Sequence, residues 1–329
     1  MPKNRWRASR AYTIAFAAAL SFVATGSAMA QSWPSKPIRV IVPLTAGSAT
    51  DIIPRTIFEQ LSAQLGQTIT VENRVGGGGT IGAAAVAKAD PDGYTLLVHS
   101  NAHVIAPSVQ PNLSYDVVKD FAGIVPLGDL PLVMVVSPSK NFRTVQDLVA
   151  AAKAKPGSMN YASGGTGTAP HLTAERFRLS AGFEGTHIPF KGAPEALTEV
   201  MTGRVDFYFS PLLPALPFIR DGKLQVLAIG NSKRASALPG VPTTVEAGYA
   251  NSDFDFWIGM FAPAKTPRDI VGKLHQEAVK ALQNQRIQEK LKTLGVEPMI
   301  MTPEQFDARI VKDVATAAAI AKAVGIAVK

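Results

Sequence analysis

Short apolar runs of the kind that form β-strands alternate with amphipathic segments along almost the whole chain. This alternation predicts strands of parallel sheets joined by covering helices, which is the α/β class. The predicted strands are residues 38–42, 68–71, 94–99, 132–137, 159–162, 185–188, 205–209 and 224–229, with a further extended apolar run at 253–263. The predicted helices are residues 51–65, 81–89, 145–155, 169–179, 194–201, 243–247, 267–283, 287–294 and 303–323.

The length of the chain favours two α/β lobes over one. Its 329 residues are 47% hydrophobic and 18% charged, which is ample for a buried core. We expect lobe 1 to comprise residues 31–127 plus 253–329 and lobe 2 to comprise residues 128–252, with a ligand cleft between them. The chain would then cross between the lobes near Ile124–Leu130 and again near Tyr249–Phe256.

The first thirty residues have the pattern of a secretory signal peptide. Four basic residues precede an apolar run from Ala11 to Val23, and the small residues Ala28 and Ala30 flank Met29 before Gln31. We therefore expect cleavage after Ala30 and a mature protein in the periplasm. A retained anchor helix is the alternative, but the apolar run is shorter than the roughly 20 residues that a membrane span needs.

Composition excludes several classes of function. The chain has no cysteine, so it has neither disulfides nor a thiolate nucleophile. Without the leader's four basic residues the net charge falls from +8 to +4, and lysines and arginines alternate with acidic residues, as in 273–292. Because nucleic-acid binding proteins usually carry a concentrated basic surface, we expect no nucleic-acid partner.

A loop of small and hydroxyl residues follows the first strand and opens the first predicted helix. It reads Pro43-Leu44-Thr45-Ala46-Gly47-Ser48-Ala49-Thr50-Asp51. Such a loop leaves backbone N–H groups unpaired at the positive end of a helix, where an anion can bind. The candidate ligand contacts are Thr45, Ala46, Gly47, Ser48, Thr50 and Asp51. The alternative is an ordinary strand-to-helix turn in which Thr50 or Asp51 caps the helix.

A second loop of the same kind follows the strand at 159–162. It reads Ser163-Gly164-Gly165-Thr166-Gly167-Thr168-Ala169-Pro170-His171, and the proline suits the first turn of a helix. Its glycines let backbone amides approach a ligand closely. The candidate contacts are Ser163, Gly165, Thr166, Gly167, Thr168 and His171, and the alternative is a flexible exposed loop. Two such loops suggest one acid held from two sides.

A dinucleotide fingerprint competes with this interpretation. Gly77-Gly78-Gly79-Thr80-Ile81-Gly82 matches G-x-G-x-x-G after a predicted strand. The next strand, however, ends in His99-Ser100-Asn101, where an acidic residue would have to meet the ribose. We therefore interpret these glycines as a turn that lets a small helix pack tightly, and we expect no cofactor.

Signatures of catalysis are missing from the sequence. There is no phosphate-binding G-x-x-x-x-G-K-[ST], no G-x-S-x-G and no H-E-x-x-H, and the five histidines lack metal-ligand spacing. We expect neither an enzyme nor a metal site. Further cleft candidates stand near strand ends, namely Ser100, His103, the cation Lys191 and the hydrogen-bond acceptor Asp206. For the histidines a structural role is the alternative, and for Asp206 it is the capping of a loop.

Seven segments in order carry a family resemblance. They are 43–51, 71–74, 91–94, 116–121, 163–172, 190–192 and 242–248. In this order they resemble the Bug (TctC-like) periplasmic solute receptors of tripartite tricarboxylate transporters, over essentially all of the mature chain. The two loops correspond to the family patterns P-[FY]-x-x-G-G-x-x-D and S-G-G-x-G-[TS]-x-x-H. This chain departs from them at Leu44, where the family has an aromatic residue, at Ser48, where it has a second glycine, and at Pro54.

The resemblance implies a type II periplasmic-binding-protein fold whose two lobes close on an organic acid. It also implies delivery of a small organic carboxylate to a membrane permease of large and small subunits, and we expect the receptor to be a monomer. The same cleft could serve a sensor in a signalling system. An extracytoplasmic enzyme acting on an organic acid is the remaining alternative, and it would need a base and a nucleophile in contact.

Overall fold

The computed structural model describes residues 33–327. The leader interpreted as a signal peptide, residues 1–30, lies outside the described residues. Of the amino-terminal unit, Met1–Ser35, only residues 33–35 are described, whereas the unit that begins at Lys36 contains all the strands and helices given below. Among the helices of residues 33–327, none has both the length and the apolar composition needed to cross a bilayer.

Ten strands and ten α-helices build the fold in the described part of the chain. The strands are β1 (Ile38–Val42), β2 (Ile69–Asn73), β3 (Thr95–Ser100), β4 (Phe121–Leu130), β5 (Leu132–Val136), β6 (Met159–Ser163), β7 (Gly185–Pro189), β8 (Phe207–Pro211), β9 (Gln225–Ile229) and β10 (Phe256–Pro263). The helices are α1 (Ala49–Leu65), α2 (Thr80–Ala87), α3 (Ala102–Val109), α4 (Val145–Ala154), α5 (Ala169–Ala181), α6 (Ala193–Met201), α7 (Leu212–Arg220), α8 (Arg268–Gln283), α9 (Gln285–Thr293) and α10 (Pro303–Ala323). Short 3₁₀ turns lie at Gly77–Gly79 and Pro138–Lys140.

The strands form two five-stranded sheets, in the orders β2-β1-β3-β10-β4 and β7-β6-β8-β5-β9. The α/β class is confirmed, and each sheet adds antiparallel pairings to the parallel ones that the alternation predicted. Strand β10 runs antiparallel to β3 and β4, and β5 runs antiparallel to β8 and β9. Both reversals occur because a strand enters each sheet from the other one instead of returning through a covering helix.

The chain passes between the two sheets at Pro131 and again between β9 and β10. Residues 124–130 belong to the edge strand β4, and only Pro131 separates β4 from β5 in the other sheet. Asn231 spans this junction, since its Oδ1 accepts from the Leu132 N–H at 2.7 Å and its Nδ2 donates to the Leu130 carbonyl at 3.0 Å. The return passage leads from β9 to β10 and includes residues 249–255, and β10 begins at Phe256.

The carboxyl-terminal helix α10 is fixed to the first sheet by Phe306. This ring is 0% exposed and packs against Trp257 and Phe261 at centroid distances of 5.4 and 5.3 Å. It lies over Gly123 of β4 and Gly259 of β10, and a Cβ on Gly123 would come within 2.8 Å of the ring. The two glycines therefore form a slot that a larger residue in either strand would fill.

Candidate functional site

The carboxyl ends of β1 and β3 from one sheet and of β6, β7 and β8 from the other lead into loops around a small cavity. Ligands commonly bind at this edge of α/β sheets because the loops there carry the variable polar groups. The lining residues are Leu44, Thr45, Ser48, Ala49, Thr50, Ser100, Gly164, Thr168, Ala169, Pro170, Lys191, Gly192, Ala193, Tyr208, Pro211 and Phe256. The cavity holds about 60 Å³. Small-molecule sites usually hold roughly 300–1,000 Å³, so a ligand of several heavy atoms requires this one to widen.

Three helices present their amino ends to the cavity. They are α1 at Ser48–Thr50, α5 at Thr168–Pro170 and α6 at Gly192–Ala193. The first turn of a helix has N–H groups without intrahelical acceptors, and the helix dipole places a partial positive charge there. The cavity is therefore electropositive even before side chains are considered.

The loops ahead of these helices come together at Gly192. A Cβ added to Gly192 would lie 2.9 Å from Thr45 Oγ1 of the first loop, and a Cβ added to Gly164 would lie 3.9 Å from the Gly192 Cα. Thr45 comes from the sheet of β1, whereas Gly164 and Gly192 come from the sheet of β6. A single small anion can therefore contact loops from both sheets.

The charged side chains around the cavity also favour a negatively charged ligand. No acidic residue is among the described residues that line the cavity, and Lys191 is the one cation there. Ser48 Oγ is buried and has no hydrogen-bond partner within residues 33–327. A buried hydroxyl without a partner is costly, so a ligand oxygen at this point would gain a donor that the protein leaves unused.

Asp51 braces the first loop from behind instead of lining the cavity. Its carboxylate accepts from the Gly47 N–H at 3.0 Å, from Arg55 Nε at 2.8 Å and from Asn73 Nδ2 at 2.9 Å. Burial acts to raise the pKa of Asp51, but these hydrogen bonds and the charge of Arg55 outweigh it, so the pKa lies below the ordinary value. Its stabilising contribution is therefore present above the ordinary carboxyl pKa and is lost as the pH falls through the lowered one.

Replacing Asp51 by alanine is expected to lower the free energy of unfolding by about 1–3 kcal/mol, because three donors lose their acceptor. Asp51→Asn keeps one acceptor oxygen and should lose less. Urea denaturation of both variants at pH 7 measures the difference. An Asp51→Ala variant as stable as the parent would contradict this bracing role.

Two glycine amides of the second loop donate to side chains of the same loop and of α5. The Gly165 N–H donates to Ser163 Oγ at 3.0 Å, and the Gly167 N–H donates to His171 Nδ1 at 3.2 Å. Both glycines have positive φ, at +124° and +79°, which favours glycine. The residues of this loop and helix that line the cavity are instead Gly164, Thr168, Ala169 and Pro170.

The structure brings six of the predicted site residues to the cavity: Thr45, Ser48, Thr50, Ser100, Thr168 and Lys191. The others are not among the lining residues, namely Ala46, Gly47, Asp51, His103, Ser163, Gly165, Thr166, Gly167, His171 and Asp206. Most of these stand within the two loops and hold them in shape. His103 and Asp206 lie elsewhere.

Asp206 pairs with Lys140 Nζ at 2.7 Å and accepts from the Asn160 N–H at 2.7 Å, near the amino ends of β6 and β8. That is the end of the sheet away from the cavity. His103 is 0% exposed and packs among Phe121, Phe261 and Tyr115. Burial, together with nearby His99, lowers the pKa of His103 well below its ordinary value. We assign both residues to the structure of the fold.

Several lining residues are missing from the sequence prediction. Six of them stand inside loop segments that the sequence analysis already singled out, so their place in those loops could have identified them as site residues. They are Leu44, Ala49, Gly164, Ala169, Pro170 and Gly192. Ala193 directly follows such a segment. Tyr208, Pro211 and Phe256 come from strands and carry no local signal. Within the described residues, no group of three histidine or acidic side chains is placed to hold a metal ion.

The chain is similar to known proteins of one family in both sequence and structure. Residues 53–326 match the model of the family described as "Tripartite tricarboxylate transporter family receptor". Protein BugT of Bordetella pertussis is 34% identical over 302 residues, covering 91% of this chain and 93% of BugT. The solved structure of R. palustris Rpa4515 with adipate has a TM-score of 0.86 at 31% identity, covering 90% of this chain and 99% of that one. MatC (Rpa3494) from Rhodopseudomonas palustris with bound malate has a TM-score of 0.81 at 28% identity, covering 88% and 99%.

Proposed function

Because this chain belongs to the tripartite tricarboxylate transporter receptor family, we propose that it is an extracytoplasmic solute-binding protein that captures a small organic carboxylate for a transporter of that type. The observation that carries the proposal is the meeting of three helix amino ends at a cavity whose described lining contains no acidic residue. Relatives of similar structure hold adipate and malate, both of which are carboxylates.

In this proposal one carboxylate of the ligand lies among the loops that converge at Gly192. Its donors are the free amides at the starts of α1, α5 and α6 and the hydroxyls of Thr45, Ser48 and Thr168, while Lys191 supplies a positive charge at the rim. Hydrogen bonds to a charged group contribute about 1.5–3 kcal/mol each. Four or five of them can supply the roughly 8 kcal/mol that corresponds to micromolar affinity.

Ligand binding and closure are coupled in this scheme. A carboxylate touches loops from both sheets only when Thr45 and Gly192 are close together, as they are in this structure. The ligand therefore shifts an equilibrium between open and closed states toward the closed state. The division into lobe 1 (31–127 plus 253–329) and lobe 2 (128–252) is part of the same proposal.

We further propose that the mature protein works in the periplasm after cleavage following Ala30, that it is a monomer, and that it delivers its solute to a membrane permease of large and small subunits. The leader sequence and the family membership support these assignments.

Thermal unfolding in the presence of a panel of organic acids tests the function. At a hundredfold excess over Kd, a ligand that binds only the folded protein adds about 2.7 kcal/mol of stability. We expect at least one carboxylate to raise Tm and neutral amide analogues of the same shape to leave it unchanged. A panel in which no carboxylate raises Tm, or in which the amides act equally, would contradict the proposal.

Lys191→Gln is expected to weaken carboxylate binding severalfold, because an exposed cation contributes about 0.2–1 kcal/mol to an ion pair. The matched control is Lys265→Gln, an exposed lysine just beyond Pro263 at the far end of β10 from Phe256. Titration calorimetry with adipate and malate as probes, at low and at high salt, measures both variants. Equal affinities for the two variants would remove Lys191 from the site.

A further inference from the structure

Two imidazoles lie stacked behind the second loop, outside the cavity lining. His171 of α5 and His187 of β7 have ring centroids 3.9 Å apart and an interplanar angle of 19°. His171 is 2% exposed and His187 is half-buried. Neither ring is among the residues that line the cavity, yet both bond to the loop that does.

The hydrogen bonds of the two rings fix the direction of the loop amides. His171 Nδ1 accepts from the Gly167 N–H at 3.2 Å, so this nitrogen carries no proton and the ring's own proton is on Nε2. His187 Nε2 lies 2.7 Å from Ser163 Oγ, and the same Oγ accepts from the Gly165 N–H at 3.0 Å. If the Ser163 hydroxyl donates to His187, the hydroxyl is free to accept the glycine amide.

The groups around the pair keep both rings neutral. Glu175 Oε1 is 3.8 Å from His171 Nε2, but this carboxylate also accepts from the Tyr161 hydroxyl of β6 and pairs with Arg178 of α5 at 2.8 Å. Burial, with a smaller contribution from His187, lowers the pKa of His171 to about 3. Burial also lowers the pKa of His187, although Glu175 opposes that change.

We propose that His171 and His187 are positioning residues of the carboxylate site. As neutral acceptors they hold the Gly167 amide, directly, and the Gly165 amide, through Ser163, on the side away from the ligand. Gly164 and the amino end of α5 are thereby left facing the cavity. This inference rests on the function proposed above, and it assigns the histidine of the second loop a role behind the ligand instead of in contact with it.

Imidazole ¹⁵N NMR of the wild-type protein tests the tautomers without any ligand. We expect His171 to be neutral with its proton on Nε2 from pH 8 down to pH 5, and His187 to be neutral with Nε2 as an acceptor at pH 8. A protonated imidazolium at pH 7, or a His171 proton on Nδ1, overturns the proposal. This measurement needs no variant, so a folding failure cannot obscure it.

A pair of variants tests the consequence for the loop. His171→Asn keeps an acceptor near the position of Nδ1, whereas His171→Leu removes it. Amide hydrogen exchange at Gly167 is expected to be about tenfold faster in the leucine variant and within about threefold of wild type in the asparagine variant. The Gly47 amide, which donates to Asp51, serves as the internal control for global opening.

Equal acceleration at Gly47 and Gly167, or no acceleration in His171→Leu, overturns the positioning role. His187→Gln and His187→Leu give the same comparison for the Gly165 amide. These outcomes are distinct from failure of the proposed function, which would appear as a carboxylate panel without any binder while the tautomers and the exchange rates stay as expected.

Discussion

Replacing Gly192 by alanine is expected to weaken carboxylate binding at least about tenfold, the equivalent of 1.4 kcal/mol, while the unliganded protein remains folded. The added methyl would lie 2.9 Å from Thr45 Oγ1, closer than real Cβ contacts allow, at the point where loops from the two sheets meet. Gly192 has an extended backbone, with φ of 176° and ψ of 177°, which any residue adopts. The substitution therefore leaves the local backbone unstrained, and its free-energy cost comes from the steric clash that keeps the two loops apart.

Gly240→Ala is the matched control, because a Cβ there meets nothing within 4 Å. Thr45→Ala supplies a second comparison, since it removes the oxygen that the new methyl would meet. In a double-mutant cycle, the Gly192→Ala effect should be smaller in the Thr45→Ala background. Calorimetric titration of the four proteins with one carboxylate measures these affinities. A Gly192→Ala variant with wild-type affinity would show that the contact between Gly192 and Thr45 has no part in closure.

Replacing Phe306 by alanine is expected to lower the free energy of unfolding by about 3–5 kcal/mol, the range for removing a buried aromatic ring. The ring is 0% exposed and contacts Trp257 and Phe261. Its loss would leave empty the slot over Gly123 and Gly259, because neither glycine has a side chain that could move in. Guanidinium denaturation followed by circular dichroism measures the change.

Val311→Ala on the same helix is the control, since Val311 is 53% exposed and its truncation should change stability by less than about 0.5 kcal/mol. Binding of a carboxylate by folded Phe306→Ala should stay near that of the parent, because the ring is not part of the cavity lining. Similar stability losses in the two variants would show that the slot does not fix α10.

Strong periodic patterns made much of the fold predictable. Each of the eight short predicted strands corresponds to an observed strand whose ends differ by no more than two residues, as 68–71 does to Ile69–Asn73. Three elements were missed: β4, α3 and α7. Helices α3 and α7 are only eight and nine residues long and contain Pro107 and Pro217, and proline inside a segment argues against a helix there. The helix predicted at 243–247 is a turn.

The candidate site was predictable as loops but not as individual contacts. Glycine and hydroxyl residues identify where amides are available, and the loop at 163–171 does border the cavity. Which amides face the ligand depends on partners distant in sequence: His187 fixes Ser163 across the sheet, and Asn73 fixes Asp51 from the next strand. Gly192 matters because it lies close to Thr45, which is about 150 residues earlier in the chain. Spacing along one chain does not reveal such approaches.

Two connections of very different length join the two sheets, and the shorter is the single residue Pro131. The proline ring fixes its own φ, and both neighbours, Leu130 and Leu132, are held by strand pairing and by the same Asn231 side chain. The other connection, from β9 to β10, contains 26 residues, 230–255; it supplies Asn231 itself, and its ends are joined where the Phe254 N–H donates to the Gly230 carbonyl at 2.8 Å. A rotation of one sheet relative to the other would therefore have its hinge at Pro131, where the Asn231 side chain bonds both flanking residues.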